Sequence, residues 1–313
     1  MTLETNAFTS YSAVGNKEDI SDVIYNVDPF ETPFLTAIDD VKASNRLHQW
    51  QTDVLAAPVA TNYQLEGDAE AAEAQTASVL LSNTCQISRK VPRVTGTQQA
   101  IDHYGRSDEL AYLELKAAKE LRNDMETQLL ANNAEVTGDA TTKRETAGIG
   151  AWLETNTDFG AGGSDGTIGN TARTDGTQRA FTESQLKTVL AATWTAGGNP
   201  DKIMLGAFNK QVFSTFTGNA TRYKTAEDSS LMAAIDIYDS DFGELEVIPS
   251  RNMRSRDCLV LQTDLWAVAY LRRPHREELA KTGDSRSVVM RAEYAFVSRN
   301  EIGSGGVFDL TTS

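Results

Sequence analysis

Cysteine and histidine are scarce in this sequence. The two cysteines, Cys85 and Cys258, lie outside any Cys-x-x-Cys pattern, and two are too few for a disulfide framework, which indicates reduced, half-buried thiols. The three histidines, His48, His103 and His275, have neither HExxH nor paired spacing. Because zinc sites need clustered Cys or His ligands, we expect no metal site.

Basic residues are also in deficit. Lys and Arg number 29 against 44 Asp and Glu, so the net charge is 29 − 44 = −15. Nucleic-acid binding rests on Lys and Arg that displace counterions from phosphates, and no long basic run offsets the acidic excess. The composition therefore argues against direct readout of nucleic acid.

Long apolar runs are missing as well. No stretch reaches the roughly 18 residues that a membrane-spanning helix needs. The N-terminal segment MTLETNAFTSYS lacks the basic and apolar regions of a signal peptide. We expect a soluble protein that is made in the cytoplasm and has no membrane partner.

Catalytic motifs are absent too. Neither GxxxxGK[ST] nor GxSxG occurs, and Ser304, in the run Gly303–Gly306, lies outside the nucleophile pattern. The run Asp239–Glu244 resembles the start of a calcium loop, but it places Gly243 where an acid is needed and lacks the distal Glu, which favours a simple turn. We predict no catalytic residue, no cofactor and no enzyme activity.

The first part of the chain reads as an arm. Residues 1 to about 25 are polar, and the segment from Asn26 to Leu35 contains two prolines that break regular structure. This segment presents Phe30, Phe34 and Leu35 for anchoring on a core.

Two β-type stretches follow, at about 45–57 and 77–100, and they flank a polar insert. Both stretches carry polar residues on alternating faces, so a hairpin built from them cannot bury much of itself. We infer a long protruding loop that a neighbouring chain orders. The alternative is a floppy surface hairpin.

A long helix is predicted from Ser107, a plausible N-cap, to about Asn132. Lys116–Glu120 and Arg122–Glu126 would decorate its exposed side as i, i+4 pairs. An apolar stripe recurs at helical spacing: Leu110, Leu113, Ala117, Leu121, Met125 and Leu129. This helix would act as a spine.

The second half of the chain indicates a compact α/β unit. After a Gly-rich region at 134–179, Thr182 and Gln185 form a capping box that opens a helix. The segments expected to follow are a strand at 202–205, a helix at 207–216, a strand at 244–249, one or two buried strands at 258–271, and a long half-buried strand at 287–299.

Several segments then resemble one known family. They are NVDPFETPFL, ELAYLELKAAKELRNDMETQLL, GIGAW, GGNPDKIMLGAFNKQVF, YDSDFGELEVIPSR, LVLQTDLWAVAYLR and EELAKTGDS. In wording, order and spacing they are similar to tailed-bacteriophage major capsid proteins, whose fold is shared with encapsulins. The similarity extends from about Asn26 to Leu310.

The resemblance implies an α+β fold of four parts. These are an N-terminal arm (1–44), an extended β-hairpin loop (45–100), a peripheral domain (101–179 and 272–313) with a spine helix at 107–132, and an axial domain (180–271).

It also implies a structural function. The chain would assemble with itself, as hexamers and pentamers, into an icosahedral or prolate shell that encloses viral DNA without sequence-specific binding. It would be found in the virion after assembly in the host bacterial cytoplasm. Because the chain has no coiled-coil stretch of the kind found in scaffolding extensions, it is similar to members with a separate scaffolding protein. Portal and decoration proteins are the other expected partners.

The acidic insert is the candidate contact between subunits. Its acids, Glu66, Asp68, Glu70 and Glu73, could pair with a basic run on a neighbour that contains Arg272, Arg273 and Arg276. The alternative is a solvated tip.

Two other functions stay open. An encapsulin-like cellular nanocompartment has the same architecture. A calcium-stabilised secreted adhesin or hydrolase domain would explain the Gly- and Asp-rich loops, although the missing signal peptide and catalytic residues count against it.

Overall fold

The computed structural model describes residues 31–67, 72, 74–102, 107–216 and 236–313. Several residues considered above lie outside the described ranges: residues 1–30 with Phe30, the acids Asp68, Glu70 and Glu73, and His103.

Helices and strands are mixed along the described chain, as predicted for an α+β protein. The helices are α1 Pro33–Ala37, α2 Gly96–Ala100, α3 Glu109–Leu129, α4 Ile149–Trp152, α5 Glu183–Thr195 and α6 Ala207–Phe213. The strands are β1 Asp39–Lys42, β2 Leu47–Thr52, β3 Val79–Thr84, β4 Gln86–Lys90, β5 Arg93–Thr95, β6 Thr157–Asp158, β7 Lys202–Leu205, β8 Ile237–Ser240, β9 Gly243–Pro249, β10 Cys258–Leu261, β11 Trp266–Glu278, β12 Ser285–Ser298 and β13 Gly305–Val307.

The long helix α3 has 21 residues and is about 30 Å long. Its N-cap is Asp108, whose carboxylate accepts from the Ala111 N–H, and not Ser107 as the sequence suggested. A carboxylate at this position also meets the positive end of the helix dipole. The stripe that includes Leu121 and Met125 is buried against β4 and β12, as its spacing predicted.

The sheet behind α3 has the order β1-β11-β12-β4, and β5 extends it along β12. Strands β11 and β12 are long antiparallel neighbours, and β1 adds to β11 in parallel. The prediction that the last long strand is half-buried is wrong at its C-terminal end, where every residue from 292 to 298 is buried. Other elements cover both faces there, so the polar members of the alternation have buried partners.

A second sheet has the order β6-β13-β10-β7-β9-β8. Its strands β7 and β10 are buried on both faces because alternate residues enter two different cores. Ile203 and Leu205 pack with α5 and α6, whereas Met204 points into the core that also contains Trp152 and Trp266. The two sheets therefore share one hydrophobic core.

The predicted hairpin is present as β2 paired with β3. The second predicted β stretch is wrong in its later part. Strands β4 and β5 pair with β12 instead of prolonging the hairpin, and α2 is helical. Thr95 caps α2 by accepting from Gln98, which explains why the strand ends there.

Both cysteines are free and fully buried, not half-buried as expected. Burial raises the pKa of the Cys85 thiol to about 11 and raises that of Cys258 further. Both thiols are therefore poor nucleophiles at neutral pH.

Candidate functional site

The segment that joins β2 to β3, residues 53–78, is called here the connector. Every described residue from Asp53 to Leu80 is exposed. Large apolar side chains are exposed along it and at the start of β3: Val54, Leu55, Val59, Tyr63, Leu65, Val79 and Leu80. Exposed apolar side chains gathered in one segment are typical of interaction sites.

The base of the hairpin, in contrast, is fixed to the subunit. The indole Nε1 of Trp50 donates to the Ser298 carbonyl at 2.6 Å, and its ring lies 5.4 Å from that of Trp152. The buried Asn83 side chain donates to the Phe296 carbonyl at 2.7 Å and accepts from the Ala147 N–H. These bonds hold the base of the hairpin against the subunit.

A buried carboxylate fixes the start of the described chain. Glu126 of α3 is 0% exposed, and its two oxygens accept from the backbone N–H groups of Phe34 at 2.9 Å and Leu35 at 2.7 Å. The surface pair Arg122–Glu126 expected from the sequence is therefore wrong: Arg122 instead donates to Thr32 and Thr36. Burial raises the pKa of Glu126, and the two N–H donors oppose that shift.

The predicted contact residues have different environments. Glu66 is exposed on the connector. The three arginines already have partners within the subunit: Arg272 contacts Glu293, Arg273 contacts Asp40, and Arg276 contacts Glu114 in a bidentate pair. All three guanidinium groups stay partly exposed, so each can still receive a further carboxylate.

The residues examined for catalysis have structural roles. The Ser304 hydroxyl is buried and accepts from the Trp266 indole at 2.9 Å and from the Gln262 N–H at 3.1 Å. Residues 240–243 form the tight turn between β8 and β9, as predicted. Among the described residues no group of His, Cys, Asp and Glu could hold a metal ion, and no helix could cross a membrane.

Sequence reasoning missed Glu126. The sequence does place this acid directly after Met125, a member of the apolar stripe of α3. Its i, i+4 spacing to Arg122 nevertheless favoured a surface ion pair.

The fold is that of tailed-phage capsid subunits. It matches the capsid of cyanophage A-1(L) with a TM-score of 0.66 at 13% identity, over 99% of this chain and 100% of that one. It matches a chain of Gordonia phage Cozz with a TM-score of 0.62 at 12% identity, over 100% and 99%.

The sequence agrees with this class. The chain is 26% identical to the major capsid protein of Escherichia phage Phieco32 over 338 aligned positions, which cover 96% of each. The family model described as SU10 major capsid protein matches residues 4–311. The chain belongs to this family.

Its function is that of a major capsid protein, a structural component of the virion shell and not an enzyme. The family assignment favours the capsid function over the encapsulin-like compartment and over the calcium-stabilised adhesin or hydrolase.

Proposed function

We propose that copies of this chain form hexamers and pentamers of a closed shell around DNA, and that the connector of each copy lies on a neighbouring subunit. One observation carries this proposal: the apolar side chains of the connector and of the start of β3, from Val54 to Leu80, are exposed in their own subunit. The connector is 26 residues long. Half of it, when extended, reaches about 40 Å, far enough to contact the next subunit.

The energetics agree with this arrangement. Burying one Val, Leu or Tyr side chain contributes about 1.5–3 kcal/mol before the cost of ordering the chain is subtracted. The net free energy of association is favourable only if one surface buries several of these side chains together. In a shell, a neighbouring subunit supplies that surface to every copy.

The test is deletion of residues Tyr63–Ala74. Because the hairpin base has its own anchors, we expect a soluble, folded subunit that fails to form closed shells. Circular dichroism checks the fold, and sedimentation with negative-stain electron microscopy checks assembly. The matched control is Ile237→Ser, which removes one exposed apolar side chain outside the connector and should leave assembly intact. Normal-sized shells from the deletion variant would overturn the connector's role.

We also propose that the acids Glu66, Asp68, Glu70 and Glu73 contact cationic residues of a neighbour, with Arg272, Arg273 and Arg276 among them. Exposed pairs are worth about 0–1 kcal/mol each, so the effect depends on their repetition around the shell.

For this contact the test is charge reversal. Arg272→Glu with Arg273→Glu should lower the assembly yield, and Glu70→Arg with Glu73→Arg should partly restore it. High salt should mimic the defect in the unsubstituted protein, because screening weakens exposed pairs. Normal assembly of the arginine double variant would show that these two arginines are not the receiving groups.

The division of the subunit into two domains is part of the same proposal. Residues 180–271 form the axial domain, and residues 101–179 with 272–313 form the peripheral domain. Some strands cross these bounds, since β11 runs through residue 271, and β6 and β13 join the six-stranded sheet. Separate scaffolding, portal and decoration proteins complete the head. The net charge of −15 lets the shell enclose DNA without binding it.

A further inference from the structure

The geometry points to a cationic cleft that receives the acidic connector of a second copy of this chain. The cleft has a volume of about 950 Å³ and lies between β4, β11, β12 and the loop at 138–145. Its cationic lining residues are Arg46, Arg89, Lys143, Arg144, Arg272 and Arg291. This inference rests on the proposed shell function and names the receiving surface within it.

The charge of the cleft is opposite to that of the protein. Six cations line it, against the two acids Asp139 and Glu145, and the buried Glu293 lies beneath. The sum is 6 − 3 = +3, in a chain whose net charge is −15. Electrostatic complementarity of this kind selects partners and sets their register.

Half of these cations have no carboxylate partner in the described part of the chain. Glu293 binds both Arg144 at 2.8 Å and Arg272 at 2.7 Å, so one negative charge serves two guanidinium groups. Arg46, Arg89 and Lys143 are exposed and make no ion pair with any described residue.

The two acids that line the cleft already accept hydrogen bonds from uncharged donors. Asp139 accepts from the backbone N–H groups of Thr141 and Thr142, which lowers its pKa to about 2. Glu145 accepts from the amide of Asn133 at 3.2 Å. Neither acid forms an ion pair with the cationic residues of the cleft, so an incoming carboxylate would meet cations that are available to it.

The connector has the complementary chemistry. The 42 residues between Arg46 and Arg89 contain no Lys or Arg and five acids: Asp53, Glu66, Asp68, Glu70 and Glu73. No other segment without a basic residue is as long, since the next, residues 145–172, has 28 residues. Its apolar side chains also need cover, so a connector that docks by its acids gains shelter for Leu55 and Leu65.

Arg272 belongs to both the cleft and the basic run considered above, whereas Arg273 and Arg276 do not line the cleft. The centre of the proposed contact thus shifts from the linear run to residues of five segments: the loop between β1 and β2, β4, the loop at 138–145, β11 and β12.

Crosslinking between copies tests the contact directly, because both native thiols are buried and unreactive. One full-length chain carries Glu66→Cys and a second carries Arg46→Cys. The two are co-assembled and treated with a short bismaleimide, and dimers are read on a denaturing gel. The matched control replaces Arg46→Cys with Arg286→Cys, an exposed cation of β12 outside the cleft. We expect about tenfold more dimer than in the control, because docking raises the local thiol concentration.

Charge variants provide the second measurement. Arg46→Glu with Arg89→Glu should reduce both assembly and crosslinking of a Glu66→Cys and Lys143→Cys pair, and Arg286→Glu should change neither. Equal crosslinking for the cleft and control pairs in intact shells would overturn the cleft as the receiving surface and leave the shell function standing. If instead no chain forms shells, the proposed function itself fails. Binding of inorganic polyphosphate to the cleft of closed shells without any fall in dimer yield would show that the connector does not occupy the cleft, and it would also overturn the inference.

Discussion

The C-terminal part of β12 and the connector differ in solvent exposure: the first is buried and the second is exposed. From residue 292 to 298 β12 is buried on both faces, next to β11 on one side and under the spine helix. The connector exposes every described residue, although it includes apolar side chains such as Leu55 and Leu65.

The difference separates two sources of stability. These residues of β12 gain their free energy when one chain folds, because α3, β4, β11 and the hairpin base, all of the same chain, pack against them or bond to them. Residues of the connector have no such neighbours in the subunit, so their apolar surface gains free energy only on association. Under the proposed docking, folding and assembly depend on different segments of one sequence.

The largest effect should separate these two segments. Leu121→Asp places an unpaired charge in the core of α3 and should cost several kcal/mol, which yields an unfolded or insoluble subunit. Leu55→Asp, at 94% exposure, should leave the free energy of unfolding unchanged and lower assembly alone. Circular dichroism and urea unfolding measure both. A soluble Leu121→Asp subunit with native circular dichroism would remove the distinction.

An intermediate effect is expected where α3 holds the start of the described chain. Glu126→Ala leaves the N–H groups of Phe34 and Leu35 buried without an acceptor, at about 1–3 kcal/mol for each. Glu126→Gln keeps one acceptor and should cost less. Urea unfolding of the three proteins at neutral pH gives the order, and equal stability of the Ala variant and the parent would show that this anchor is dispensable.

The same carboxyl group predicts a pH dependence. Burial raises the pKa of Glu126 above its ordinary value of 4.5, against the opposing effect of Arg122 and the two N–H donors. The folded state therefore binds a proton more tightly than the unfolded state, and the contribution of Glu126 to stability falls as pH rises from 4.5 through the raised pKa. The stability difference between the parent and Glu126→Gln should change in this window and be flat above it. A constant difference across the window would contradict the shift.

The smallest effect belongs to the exposed side of the same helix. Lys116 and Glu120 are 3.9 Å apart at i, i+4, and Lys116→Ala should change the free energy of unfolding by no more than about 0.5 kcal/mol. Thermal unfolding at low and high salt measures it. A loss comparable to that of Glu126→Ala would mean that this side of α3 is structural after all.

Predictions from periodic patterns are confirmed where the spacing of residues within one element is enough to determine its structure. The stripe of α3, the strand at 202–205 and the turn after Ser240 depend on local spacing, and each is present. Family resemblance, carried by long segments in the right order, supplied the capsid fold.

The failures share a cause. Glu126, Glu293 and the end of β12 carry polar or alternating patterns that predict exposure, but segments distant in sequence bury them. Glu126 has partners 91 and 92 residues away, and Glu293 pairs with Arg144, which is 149 residues away. Local spacing has no information about such partners. The cationic cleft was missed for the same reason, because its residues come from separate segments.

The sequence of the exposed connector also determines which proteases can cleave the free subunit. Trypsin cleaves after Lys and Arg, and the chain offers neither between Arg46 and Arg89. The exposed connector is thus closed to trypsin but open to enzymes that cut after Leu55, Tyr63 or Glu66. A free subunit should be cut there by chymotrypsin or a glutamyl endopeptidase, whereas docking on a neighbour would protect it. Digestion by chymotrypsin or a glutamyl endopeptidase, compared with digestion by trypsin, would therefore report whether the connector is docked in a closed shell.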